Sequence, residues 1–285
     1  MSKTVLITGS SAGLGIALSV GAAAAGHRVF ATMRDTSKRA ALDHAAQRAG
    51  VQIDVIALDV QDAASIQSAV DQIIAETGQI DVLINNAGAG FVRSTEQADE
   101  KDIDWVMDVN FMGVVRCTKA VLPHMRKARA GHIINISSVG GLVGQPFNEI
   151  YCAAKFAVEG YTEALACYVG PAFGIDFTVV EPGGIKTEFA SRVLKHVEAT
   201  GGMLEDEYLP ILQQYIGRSQ ARGDVAYQTP EEVTEVVLQC LKSETPPIRM
   251  RTSNWAEDLC NLKTGADPDG RKMQTKVRAD FLGAD

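Results

Sequence analysis

The segment Thr4-Val5-Leu6-Ile7-Thr8-Gly9-Ser10-Ser11-Ala12-Gly13-Leu14-Gly15 decides the fold. Residues 4–8 form a nearly unbroken apolar run, which predicts a central parallel strand covered on both faces. Gly9, Gly13 and Gly15 follow, and the small residues of 16–25 predict a helix closed by Gly26 as its C-cap. Strand, glycine turn and helix N-terminus form the setting in which backbone N–H groups and the helix dipole meet a pyrophosphate. The backbone of Gly9, Ser11, Gly13, Leu14 and Gly15 is the candidate cradle. The spacing is G-x-x-x-G-x-G rather than G-x-G-x-x-G. It is either a variant dinucleotide turn or a tight turn that binds nothing.

Working outward, further strands are predicted over 28–33, 53–58, 81–84, 132–137, 175–180 and 246–250. Helices are predicted over 36–49, from Asp62, over 102–128, from Tyr151 to 169, and from Thr229 to about Lys242. The last opens on the capping box Thr229-Pro230-Glu231-Glu232. Seven strand signals alternating with helices predict an α/β fold, a doubly wound sheet in one domain over 1–285.

Open parallel sheets bind ligands beyond the carboxyl ends of their strands. Five of these ends carry unusual residues. Arg34 at the tip of 28–33 suits a 2′-phosphate and predicts NADP(H); Asp35, one step on, keeps NAD(H) possible, and Arg34 is otherwise a solvated loop charge. Asp59, followed by Val60, either accepts from an adenine amino group or caps the helix near Asp62. Asn85-Asn86-Ala87-Gly88 either closes the cofactor cleft or is simply a turn. Pro182, Gly183, Ile185 and Thr187 form a turn that could approach a nicotinamide, with Thr187 bonding its carboxamide. Asn110, a poor helix former in mid-helix, is either exposed and idle or bends the helix to hold a water.

The remaining strand end leads through Ser137 and Ser138 to Tyr151, and Lys155 follows four residues later on the same helix face. A phenol titrates at roughly 10, and an adjacent ammonium favours phenolate, drawing it toward general acid–base chemistry. The Ser138 hydroxyl could bond the same reacting oxygen. This is a proton-transfer site for an alcohol or a carbonyl, although Tyr-x-x-x-Lys alone is also an ordinary surface pair. Cys152 beside it reads as a small buried hydrophobe.

Bulk properties exclude other classes. Twenty-seven Lys+Arg against 35 Asp+Glu give a net charge of −8, which argues against nucleic acid as a partner. No run reaches membrane-spanning length, and the N-terminus lacks a secretory pattern. Five widely spaced cysteines without C-x-x-C suggest reduced thiols in the cytoplasm, and no metal site. Residues 188–227 are a candidate substrate lid, and 252–285 read as a peripheral polar tail.

In order and spacing, Thr8-Gly9-x-x-x-Gly13-x-Gly15, Asn85-Asn86-Ala87-Gly88, Asn110, Ser138, Tyr151-x-x-x-Lys155 and Pro182-Gly183 resemble the short-chain dehydrogenase/reductase family over nearly the whole chain. The stretches 31–35 and 141–152 are similar to the branch containing 17β-hydroxysteroid dehydrogenase type 1 and retinol dehydrogenases. The resemblance implies a single domain with a seven-stranded parallel sheet and a tetrad of Asn110, Ser138, Tyr151 and Lys155. Tyr151 would move the proton, Ser138 polarise the carbonyl, Lys155 lower the phenol pKa and bond the nicotinamide ribose, and Asn110 hold a water. It further implies an NADP(H)-dependent oxidoreductase, a homodimer or homotetramer, acting on a small-molecule alcohol or ketone. A moderately apolar substrate is expected from Leu142, Val143, Phe147, Phe189 and Met203, which are otherwise core. A non-catalytic dinucleotide-binding sensor is the alternative from another class.

Overall fold

The computed structural model describes residues 2–282; the side chains of 222–225 and 281–282, within the expected lid and tail, lie outside the described set. Seven strands build one sheet: β1 (Thr4–Ile7), β2 (Arg28–Met33), β3 (Asp54–Ala57), β4 (Val82–Asn85), β5 (Gly131–Ile136), β6 (Ile175–Glu181) and β7 (Arg249–Arg251). Their order is β3-β2-β1-β4-β5-β6-β7, and every pairing is parallel. Connections from β1 run one way to β2 and β3, and the other way from β4 onward. The crevice between the carboxyl ends of β1 and β4 is therefore the switch point where such sheets bind ligands.

Alternate β1 residues face opposite cores, which is why the strand reads as a continuous apolar run. Leu6 joins Phe30, Leu83, Ile133 and Phe177 beneath helices α3 (Ala63–Thr77), α5 (Gly113–Ala128) and α6 (Glu149–Phe173). Val5 and Ile7 join Val29, Ile84 and Val180 beneath α1 (Leu14–Ala24) and α9 (Pro230–Lys242). Each fully buried Val, Leu, Ile or Phe contributes about 1.5–3 kcal/mol, so the two cores fix where the strand ends lie. Helix α2 (Ala40–Ala49) packs outside β2 through Leu42. A buried polar ladder crosses the core: Asn85 Nδ2 donates to Asn135 Oδ1 at 2.8 Å, and Asn135 Nδ2 donates to Thr162 Oγ1 at 2.8 Å.

Two expectations are corrected. The helix expected over 102–128 is α4 (Glu100–Met107) and α5, joined by a π-turn over Asp108–Met112 with Asn110 at its centre. Asn competes with the helix ladder through its side chain, and here that competition bends the helix. Over 252–282 the expected peripheral polar tail is partly core. It carries α10 (Asn254–Thr264) and α11 (Arg271–Leu282), and Ala256 and Cys260 of α10 are completely buried against Val139. Between these parts lie α7 (Phe189–Ala199) and α8 (Leu209–Ala226), which cover the carboxyl edge of the sheet.

Candidate active site

The carboxyl ends of β1, β4, β5 and β6 open into a cavity of ≈1090 Å³, which exceeds the about 300–1,000 Å³ that suits one ligand. All the candidate catalytic and cofactor-binding residues line it, from Gly9, Ser11, Gly13, Leu14 and Gly15 to Thr187. The first turn of α1 points its amides into the cavity, and no side chain caps it. Gly9 has φ 73, and a Cβ there would lie 2.7 Å from Ala87 Cα. A Cβ on Gly15 would lie 2.2 Å from Gly9 O. Only glycine permits this backbone approach, so the turn is an anion cradle that cofactor phosphates fit.

A staple that the sequence did not point to holds the cradle in place. Thr8 Oγ1 accepts from both Asn86 N and Ala87 N at 3.0 Å, and Asn86 Nδ2 donates to Thr8 O at 2.9 Å and Gly9 O at 3.1 Å. Asn86 therefore closes the cleft by joining β4 to the glycine turn. Across the cavity, Thr187 lies against Gly13, and its Oγ1 accepts from Phe189 N at 3.2 Å to start α7.

At the tip of β2, Arg34 lines the cavity and is exposed. The Asp35 carboxylate turns away onto its own 3-10 turn, accepting from Ser37 Oγ at 2.6 Å and Ser37 N at 3.0 Å. These Ser37 hydrogen bonds hold the Asp35 carboxyl below its ordinary range. Asp59 lines the cavity and accepts from Gln61 N at 3.0 Å. Asp62, not Asp59, caps α3, accepting from Ala64 N at 2.8 Å. Val60 is packed beside Gly113, and its carbonyl accepts from Arg116 at 3.2 Å.

The four proposed catalytic side chains meet at the centre. The Ser138 hydroxyl neighbours the Tyr151 phenol and opposes the effect of burial on it, and Ser138 Oγ accepts from Gly140 N at 3.0 Å. Lys155 is buried and donates from Nζ to Ile136 O at 2.9 Å, with Nζ 5.7 Å from the Tyr151 ring centre. Asn110 is fully buried: Nδ2 donates to Ala89 O and Val106 O, both at 2.9 Å, and Oδ1 accepts from Ala89 N at 3.1 Å. The π-turn thus ties α4 to the loop after β4. A Cβ on Gly88 would lie 3.0 Å from Asn110 Oδ1 and 3.8 Å from Lys155 Nζ, so both groups face one point.

The expected acidification of Tyr151 by Lys155 is not found. Burial pushes the phenol up to about 12, with the Ser138 hydroxyl opposing. Burial also brings the Lys155 ammonium down to about 8, opposed by Glu159. The lysine proton is directed at Ile136 O rather than at the phenol oxygen. Desolvation therefore dominates both groups. The phenol stands neutral at pH 7, a proton donor.

The outer half of the cavity is formed by residues the motifs did not reveal, among them Val193, Ile211, Gln214, Tyr215, Trp255 and Leu259. Of the apolar residues expected there, Val143 and Phe189 line it, and the Phe189 ring meets Tyr151 edge-on at 6.2 Å. Phe147 is core, 5% exposed at φ 60. Asn148 Nδ2 donates to Tyr215 OH at 2.8 Å, joining α8 to the loop before Tyr151. Arg93, 6% exposed, caps the C-terminal end of α7: its guanidinium donates to Gly202 O at 2.6 Å, Thr200 O at 3.0 Å and Val197 O at 3.3 Å. The periodicity of α8, with 211, 214, 215 and 218 on one face, was the available signal for this wall.

Comparison with known proteins agrees with this geometry. The family model for short chain dehydrogenases matches residues 3–198. Retinol dehydrogenase 8 of Bos taurus is 39% identical over 274 residues, covering 94% of this chain and 86% of the relative. 17-beta-hydroxysteroid dehydrogenase type 1 of Homo sapiens is 35% identical over 290 residues, covering 99% and 87%. The crystal structure of an actinorhodin polyketide ketoreductase with NADPH superimposes with a TM-score of 0.77 at 28% identity, covering 91% of this chain and 98% of that one. Glycine cradle, hydroxyl pair, buried lysine and whole-length similarity lead to one conclusion: the chain belongs to the short chain dehydrogenase family, in the branch of these two dehydrogenases, and is an oxidoreductase acting on CH–OH groups.

Proposed function

We propose that this oxidoreductase uses NADP(H) to interconvert a secondary alcohol and a ketone on a moderately apolar small molecule. The observation that carries the reading is the convergence of Ser138, Tyr151 and the buried Lys155 on the cavity that an uncapped helix N-terminus also faces. The nicotinamide supplies or accepts the hydride when bound. Tyr151 gives its proton to, or takes it from, the substrate oxygen, and Ser138 orients that oxygen. Lys155 turns from Ile136 O to the cofactor ribose, and Asn110 Oδ1, with a lone pair to spare, holds a water toward Lys155. Gly9, Ser11, Gly13, Leu14 and Gly15 hold the pyrophosphate. Asp59 and Val60 receive the adenine, Ala87 and Gly88 flank the ribose, and Pro182, Gly183, Ile185 and Thr187 receive the nicotinamide.

Arg34 supports NADP(H): it is at the cavity wall, while the Asp35 carboxylate is occupied by Ser37. Val143, Phe189, Val193, Ile211 and Leu259 support an apolar substrate, with 188–227 acting as a substrate lid. We further read 1–285 as one domain of a cytoplasmic homo-oligomer. All five cysteines are free and buried, which supports a reducing compartment. Among the described residues no helix is long and apolar enough to cross a membrane. Met112, Phe156 and Tyr168, 40%, 41% and 53% exposed near or on the long helices, support pairing there.

The test is NADPH oxidation against steroid 17-ketones and small diketones, followed by Tyr151→Phe on the best substrate. Turnover lost in the variant with NADPH binding intact is expected. Unchanged turnover would refute the mechanism.

A further inference from the structure

Two buried carboxyl groups that the mechanism does not use lie directly behind the catalytic serine and lysine. Glu159 is on α6, one turn beyond Lys155, and is 6% exposed. Glu181 ends β6, is 0% exposed, and immediately precedes the Pro182–Gly183 turn. A Cβ on Gly141 would lie 2.6 Å from Ser137 Oγ and 2.7 Å from Glu159 Oε1, so both atoms crowd one spot beneath the loop that follows Ser138.

The charges around the pair come from every neighbouring element. Lys155 and Glu163 share α6, Ser137 follows β5, Arg249 and Arg251 come from β7, and Glu257 and Cys260 come from α10. Of these, Arg251 engages Glu181 directly: its Nη1 donates to Glu181 Oε2 at 3.1 Å, and its Nε lies 2.8 Å from Glu257 Oε2. One buried cation thus serves one buried carboxylate and one half-exposed one. Arg251 makes no ion pair with Glu159, whose neighbours are Ser137, Glu181 and, one helical turn away, Lys155. Ser137 Oγ, Glu159 Oε1 and Glu181 Oε1 are buried without a hydrogen-bond partner among the described residues. Two unprotonated carboxylates cannot share such a site, so one proton must stay. Burial, then the Glu181 charge, push Glu159 well above the carboxylate range; burial raises Glu181 too, but Arg251 opposes it, so of the two Glu181 is the anionic partner.

We infer that Glu159 is a positioning residue, held as a neutral carboxylic acid that donates its proton to Glu181. It thereby locks the Ser138 end of β5 and the Pro182–Gly183 turn onto the helix carrying Tyr151 and Lys155. The two loops that must register with one another are already joined by Val139 N donating to Pro182 O at 3.0 Å. The acid–carboxylate bond fastens that unit to α6.

Glu159→Gln and Glu159→Ala test this. The Gln amide donates as the neutral acid does; Ala cannot. In protein carrying ¹³C-carboxyl-labelled Glu, the infrared difference between wild type and E159Q at pH 7 should show the carbonyl stretch of a protonated acid. With the best substrate of the ketone panel, E159Q should keep kcat within about twofold, and E159A should lose about tenfold. The alkaline fall of kcat in wild type should contain a step that E159Q lacks. In a Trp105→Phe background, emission from Trp255, which packs on Gly183, should shift in E159A and not in E159Q. Equal losses in E159Q and E159A, no acid band, or full activity in E159A would each overturn the inference. Only the kinetic arm rests on the function proposed above. If the panel gives no turnover, that reading fails, while the infrared band and Trp255 emission still decide the role of Glu159.

Discussion

Arg34 and Asp35, neighbours in sequence, divide the tip of β2 between them: Arg34 faces the cavity and Asp35 folds back onto Ser37 at 2.6 Å. In dinucleotide folds an acid here selects a ribose 2′-OH and an arginine admits a 2′-phosphate. With the acid engaged by its own turn, the proposed NADP(H) preference rests on Arg34. Arg34→Ala should weaken NADPH binding about tenfold, the worth of one charge-assisted hydrogen bond, and change NADH binding less than twofold. The two tryptophans, Trp105 and Trp255, both line the cavity and report binding by energy transfer to the nicotinamide. Equal weakening for both cofactors would remove Arg34 from the site.

Tyr151→Phe deletes one oxygen and leaves the ring that meets Phe189. General acid–base catalysis contributes about 10²–10⁴-fold, so kcat should fall by that factor. The NADPH dissociation constant should stay within about threefold, since the phenol contributes at most one of many contacts. Steady-state kinetics and tryptophan titration measure the two quantities separately, and a parallel loss in both would indicate damage to the fold.

Lys155 gives the pH dependence a defined sign. Its ammonium is buried and titrates near about 8 instead of 10.5. The free enzyme should therefore show kcat/KM falling as pH rises through about 8, well below the phenol at about 12. Stability should move the other way. Below about 8 the folded state bears a desolvated charge; between about 8 and 10.5 it is neutral while the unfolded chain stays protonated, and the penalty disappears. Urea unfolding at successive pH values should thus find the advantage of Lys155→Met over wild type shrinking across that window. An advantage constant with pH would mean that Lys155 is not desolvated.

These sites differ in how openly the sequence displays them. The β1 strand was legible because burial on both faces forces an unbroken apolar run, and the glycine turn because no other residue tolerates the Gly9–Ala87 approach. Tyr151 and Lys155 were legible because a helix places their spacing on one face. The direction of the Tyr151 shift was not: it depends on burial of the phenol, whose surroundings include Phe189 of the distant α7, and local charge alone suggested the opposite sign. The Asn85–Asn135 bond joins residues 50 apart in sequence and has no local signature. The docking of α10 depends on Ala256 and Cys260, small residues that make a weak apolar stripe and become core only once Val139 lies against them. Arg93 was hidden for the same reason, since its partners lie more than a hundred residues further on.

Arg93 is also the strongest test of how the substrate half of the cavity is held. Its guanidinium satisfies carbonyls at the C-terminal end of α7, and its backbone N donates to Phe147 O at 2.9 Å, so one residue joins α7 to the loop before Tyr151. Arg93→Ala leaves those carbonyls without a donor in a buried place and should destabilise the protein by about 2–3 kcal/mol in urea unfolding. Helix α7 contributes Phe189 and Val193 to the wall but none of the residues assigned to the pyrophosphate cradle. Arg93→Lys, which keeps one donor, should therefore raise KM for the ketone severalfold and leave the NADPH dissociation constant unchanged. A loss of NADPH affinity equal to the rise in KM would show that α7 supports the whole cavity and not the substrate half.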